Sequence, residues 1–204
     1  MYAVHPWGKQ PSMIDTLLAQ IRSCQICTAD LPHGARPIVQ AASCARILIA
    51  GQAPGRIVHT TGVAWNDASG KRLRQWLGIS PEVFYDPAQV ALVPMGFCYP
   101  GSGKSGDLPP RPECAQAWHG KLLPMLGQLK IRIIIGQYAL RYYLPERAQQ
   151  SLTEIVSAWR DLPDGTLVVP HPSPRNQGWF KANPWFEAEL VPVLQTRVRD
   201  VLSE

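Results

Sequence analysis

The chain has 204 residues, 46% of them hydrophobic and 17% charged, and a formal net charge of +5. This composition excludes an intrinsically disordered chain, and no apolar run approaches the length of a membrane span. The length suits a single domain spanning residues 1–204, and the basic excess favours a polyanionic partner. Met1 to Lys9 lacks a signal-peptide pattern, which implies a cytoplasmic protein. In that setting five cysteines point to metal or redox use rather than a disulfide framework.

In chain order, Ser12 to Ser23 is predicted to be a helix. Ser12 caps it, Asp15 stands at capping-box spacing, and Ile14, Leu17, Leu18 and Ile21 form one apolar face. Arg46 to Ala50 is a short apolar strand that runs into a glycine turn, followed by a helix from about Ser69 to Leu77. Gln89 to Val93 is the next buried strand, and a Pro-, Gly-, Lys- and Ser-rich loop leads from it to a helix from roughly Pro112 to Leu126. Ile131 to Ile135 is a third strand, followed by a helix over Gln137 to Leu144. Thr166 to Val169 is a fourth strand, and a helix from about Trp185 to Leu202 ends the chain. Apolar strands alternating with helices predict an α/β fold, a three-layer αβα sandwich around a central, mostly parallel four-stranded sheet.

In such folds a ligand sits beyond the carboxyl ends of the strands. Two polar turns stand there. Gly51-Gln52-Ala53-Pro54-Gly55 follows the first strand, and its glycines let backbone N–H groups approach a ligand closely. Farther on, Trp65-Asn66-Asp67 places one large ring in a polar loop, either for stacking on a planar ligand or as an ordinary core tryptophan. The last strand ends on His171-Pro172-Ser173-Pro174-Arg175-Asn176. The prolines stiffen a histidine that can donate to an anionic leaving group or simply satisfy the backbone. The Ser-Pro-Arg-Asn stretch suits phosphate contact or groove insertion.

Cys24 and Cys27 form a C-x-x-C at the end of the first helix, and Cys98 and Cys114 flank the proline-rich loop. Four thiolates from two distant segments suit a [4Fe–4S] cluster or a structural zinc. Cys44 is the odd one out and reads as a free buried cysteine. Lys71, Arg72 and Arg74 begin one helix, whereas Lys104 and Arg111 lie in the inter-cysteine loop, where phosphate contact is the stronger expectation.

From Cys24 to about Asn176 these motifs together resemble the uracil-DNA glycosylase superfamily, nearest its iron–sulfur branch, family 4. The resemblance implies a monofunctional hydrolase of base-excision repair, working as a monomer on DNA containing uracil or another deaminated base. It implies that Cys24, Cys27, Cys98 and Cys114 hold a [4Fe–4S] cluster of structural role. Trp65 takes the place of the aromatic that stacks on the flipped base, and His171 that of the histidine facing the departing base anion. Arg175 stands where a side chain enters the duplex gap, and the backbone at Gln52 and Ala53 lines the base pocket. Three positions depart from the branch. Gln52 replaces a glutamate, Val58-His59 an acidic pair, and Pro94 the asparagine that reads uracil. Gln52 cannot act as a base, so His59, with Asp67 as second candidate, is expected to activate water, unless Asp67 caps the helix that follows. Asn66 and Asp67 are candidates to compensate for Pro94. The same departures leave open a glycosylase for hypoxanthine or xanthine, or a catalytically silent iron–sulfur nucleic-acid-binding relative; with zinc at the cysteines, a zinc-stabilised binding module of unrelated function is a third reading.

Overall fold

The structure, a computed structural model, describes residues 11–104 and 106–204, so Met1 to Lys9 lies outside the described residues. Helix α1 (Met13–Arg22) begins with the expected reciprocal cap. The Ser12 hydroxyl accepts from the Asp15 N–H at 3.3 Å, and the Asp15 carboxylate accepts from the Ser12 N–H at 3.1 Å. Its four apolar residues are buried along one stripe.

The strands are β1 (Ile47–Ala50), β2 (Val90–Leu92), β3 (Ser102–Gly103), β4 (Gly106–Asp107), β5 (Ile131–Ile135) and β6 (Thr166–Val169). Four of them make a sheet in the order β2-β1-β5-β6 with every pairing parallel, while β3 and β4 form a separate antiparallel hairpin. Within the sheet only Arg132 is exposed, the pattern of strands covered on both faces. Helices α2 (Arg56–Thr61) and α3 (Ala68–Leu77) follow β1.

The side-chain period of two divides the strands between the helical layers. Leu48, Ala91 and Val93 pack with α1 and with Leu122 and Leu126. Ile47 and Ile49 pack with Leu73, Trp76 and Leu77 of α3 and with Phe186, Leu194 and Val198 near the C-terminus. Each such side chain contributes roughly 1.5–3 kcal/mol when fully removed from water. The expected three-layer α/β architecture is present.

Two helices differ from expectation in their internal winding. The 112–126 helix is α over Pro112–Cys114, π over Ala115–His119, α over Gly120–Leu122 and 3-10 over Leu123–Met125. The C-terminal helix starts as a π turn, Phe186–Leu190, and becomes α over Val191–Ser203. Pro124 and Pro192 supply no N–H to the α ladder, and the winding adjusts around each gap. The sequence reading also passed over the short helices Pro81–Phe84 and Leu152–Ser157, each capped by a serine, Ser80 and Ser151. Among the described residues no helix is long and apolar enough to cross a membrane.

Candidate active site

A cavity of about 470 Å³ opens at the carboxyl edge of the sheet. Its walls come from the turn after β1, the loop before α3, the β3–β4 hairpin and the segment after β6. The two strand-end turns singled out in the sequence therefore meet at one place, although 120 residues separate Gly51 from His171.

Trp65 is held by its surroundings in a conformation that side chains other than glycine rarely adopt, with φ at +55°. Its carbonyl accepts from the Arg74 guanidinium at 3.3 Å. It also crowds Gly70, where a Cβ would fall 1.7 Å from the Trp65 carbonyl oxygen. The indole packs over Gly51, where a Cβ would lie 3.1 Å from it, and is stacked against the His171 imidazole at 5.7 Å between centroids. The ring is half-buried at the edge of the core and lines the cavity, so it is not an ordinary core tryptophan.

His171 is also half-buried and lines the cavity. Burial holds its imidazole below the ordinary histidine range, while the carboxylates of Asp67 and Asp107 pull it upward. Asn176 fixes the backbone here, its side-chain amide donating to the His171 carbonyl at 2.7 Å. Ser173 lines the cavity and accepts from the Arg175 N–H at 3.2 Å. Arg175 is exposed at the rim, its guanidinium lying against Gly106 of the hairpin.

Gly51, Gln52 and Ala53 line the cavity as expected. Gln52 has a task that an ionised carboxylate cannot perform, since its Nε2 donates to the Leu108 carbonyl at 2.9 Å and ties the hairpin to the first turn. A carboxylate there would face that carbonyl oxygen as a second acceptor. Asp67 borders the cavity but also caps α3, accepting from the Gly70 N–H at 2.8 Å. Pro94 lines the wall together with Ile38 and Leu92, so the position expected to read the base presents an apolar face.

Several expected site residues are not brought to the cavity. His59 sits on α2, 6.0 Å from the His33 ring and 5.9 Å from the Tyr99 ring, and is not among the lining residues. Asn66 is exposed and also absent from the lining. Arg111 is engaged with Glu113 and with Asp30, the latter at 3.0 Å, beside the cysteines. Arg72 lies over the Phe180 ring and Arg74 over Phe84 and Tyr85, which leaves Lys71 exposed from that group. Lys104 is exposed at the hairpin tip.

Conversely, the sequence reading missed Asp107, which lines the cavity. The signal was available, because Gly101, Gly103 and Gly106 around a polar tip spell a hairpin, and Asp107 immediately follows the last of them.

Cys24, Cys27, Cys98 and Cys114 line one small, largely apolar hollow with Leu31 and Trp118, and none is in a disulfide. Burial pushes the Cys98 thiol up to about 11 and the Cys114 thiol up to about 12, with the neighbouring sulfurs adding to both shifts. Among the described residues no three His, Cys, Asp or Glu side chains converge tightly enough to grip a single metal ion. Cys44 is exposed rather than buried.

Taken together, a parallel sheet, a cavity at its carboxyl edge and a stacked tryptophan–histidine pair at that cavity define an α/β protein with an aromatic-lined site at the strand ends. A model of the Uracil DNA glycosylase superfamily matches residues 40–195, and the chain belongs to that superfamily. Members are typically DNA glycosylases, which makes DNA the class of partner.

Proposed function

We propose that the protein is a monofunctional DNA glycosylase that hydrolyses the N-glycosidic bond of uracil or a related deaminated base after flipping it from the helix. The observation that carries this reading is the meeting of Trp65 and His171 at one cavity beyond the strand ends. Extruding a nucleotide costs a few kcal/mol. Stacking on an aromatic ring returns about 1–3 kcal/mol of that cost. The 5.7 Å between the two ring centroids is too little to sandwich a base, so the base is proposed to stack on the part of the indole that the imidazole leaves uncovered, with its edge toward His171. As the bond breaks, negative charge gathers on the base. An uncharged imidazole, favoured by burial, donates to that anion without itself being a buried cation.

Arg175, exposed at the cavity rim, and Lys104, exposed at the hairpin tip, are proposed to contact the DNA backbone or the gap left by the base. The four cysteines are proposed to hold a [4Fe–4S] cluster, as in the family 4 branch. Four free sulfurs around one hollow supply the number and kind of ligands that such a cluster takes. Buried thiols of raised proton affinity also become thiolates when a cation compensates their charge. Such a cluster would tie the C-x-x-C segment to both ends of the inter-cysteine loop. Its role is structural.

The test uses oligonucleotides carrying uracil, hypoxanthine or xanthine, single- and double-stranded, with abasic sites cleaved by alkali. Strand scission is expected, with a loss of about 10²–10³-fold in His171→Ala, the cost of removing one donor to a developing anion. Equal rates for wild type and His171→Ala would overturn the assignment. Pro94 in the wall favours a second reading, in which a deaminated base other than uracil is the preferred substrate.

A further inference from the structure

Glycosidic hydrolysis needs a group that positions water on the sugar and takes its proton. Of the two residues expected to do so, His59 is not among the residues that line the cavity and Asp67 uses one carboxylate oxygen as the cap of α3, while Gln52 is neutral and donates to Leu108. We propose that Asp107, presented by the hairpin between Cys98 and Cys114, is the catalytic carboxylate of this site. The inference deepens the glycosylase reading and rests on it.

The side chain is well placed and well held. The Ser102 hydroxyl donates to Asp107 Oδ1 at 3.1 Å, and Ser102 is in turn 2.7 Å from the hydroxyl of buried Tyr99. One oxygen is thereby pinned by a short relay that begins next to Cys98. The other, Oδ2, faces the turn after β1 and would lie 3.3 Å from a Cβ at Gly55, so the bare backbone of Gly55 is what admits it. The hairpin itself is fastened at its base through Leu108, whose N–H donates to the Gly101 carbonyl at 2.8 Å and whose carbonyl accepts from Gln52. Asp107 shares the cavity with His171 and Asp67, and Arg175 touches the hairpin backbone beside it.

In the reaction the water oxygen bonds to the sugar C1′ as the C1′–N bond breaks. The bonding pair leaves with the base, whose anion faces His171. The water proton passes to the Asp107 carboxylate and from there to solvent, and the base anion later takes up a proton. No oxidant, reductant or metal enters the balance. A carboxylate near C1′ also favours the positive charge that develops on the sugar.

Asp107→Asn and Asp107→Ala are compared with wild type in single-turnover base release, DNA affinity and circular dichroism, with formate added to the alanine variant. A loss of about 10²–10⁴-fold in rate at unchanged affinity, with partial recovery in formate, is the expected result. Rates within threefold of wild type, or a rate loss matched by lost affinity and unrescued by formate, would overturn the proposal. The His171 imidazole, titrated by NMR in wild type and Asp107→Asn, gives a readout independent of turnover. Removal of the carboxylate is expected to lower its proton affinity, and an unchanged titration would show that the two groups do not face each other. An inert wild type with that coupling intact would remove the glycosylase reading, and with it the catalytic role of Asp107, while leaving the geometry standing.

Discussion

The indole of Trp65 and the imidazole of His171 lie 5.7 Å apart, with their planes inclined by 27°. One ring hangs from a strained loop after the first strand and the other from a proline-stiffened turn after the last, so the pair measures how well the two halves of the sheet are aligned.

That alignment makes Trp65 sensitive to a residue that never touches the ligand. A Cβ at Gly70 would overlap the Trp65 carbonyl, so Gly70→Ala must push the loop and its ring aside. Gly70→Ala is expected to approach Trp65→Ala in lost base binding, about 1–3 kcal/mol. Gly127→Ala, where a Cβ meets nothing within 4 Å, is expected to be neutral. Binding to oligonucleotides with and without the target base checks this.

Acid should destabilise the fold through its histidines. Burial holds both His171 and His59 below the ordinary value of 6.5; Asp67 and Asp107 oppose this at His171, while Arg36 and His33 add to it at His59. Below that value the unfolded chain takes up protons that the folded chain refuses. The stabilisation is therefore present above 6.5 and lost as the pH falls through the lower folded-state values. Thermal unfolding followed from about pH 7.5 to 5 should show a falling Tm, with a shallower slope in His171→Gln.

The cationic residues separate into two behaviours. Arg175→Ala and Lys104→Ala should each weaken DNA binding and reduce its dependence on salt by about one ion. Arg111→Ala should leave that dependence unchanged, because Arg111 serves Glu113 and Asp30. Its loss should instead lower stability modestly, as expected for half-exposed ion pairs. Binding titrations at several salt concentrations distinguish the two.

On the proposed cluster assignment, anaerobically purified protein is expected to be brown and to contain iron, and replacing Cys98 or Cys114 by serine is expected to abolish both. Both mutants should also make the intervening hairpin more susceptible to proteolysis, since those cysteines bracket it. Iron analysis and limited digestion test the two effects separately.

Much of this was legible in the chain. Continuous apolar runs such as Ile131 to Ile135 mark strands covered on both faces, and the Ser12–Asp15 spacing marks a helix start that forms as read. The turns at Gly51 and His171 declared themselves through glycine and proline, whose conformational limits are local. What stayed hidden depends on tertiary placement. His59 is four residues past Gly55, yet the direction of α2 turns it toward His33 and Tyr99. Asp107 reaches the cavity only because the hairpin folds back over the first turn, a return governed by Gln52 and Leu108 across 56 residues. Arg111 looked free until Glu113 and Asp30 were seen beside it.

Pro94 continues the edge strand β2, where the Val93 N–H bonds to the Ile49 carbonyl and the Met95 N–H to the Gly51 carbonyl. Between them the proline nitrogen points away from β1, so its missing hydrogen removes nothing from the ladder. The side chain at 94 can therefore change without disturbing the sheet that carries it. The character of this stretch of the cavity wall is thus set by a single side chain, and one substitution can turn it from apolar to polar while the scaffold stays as it is.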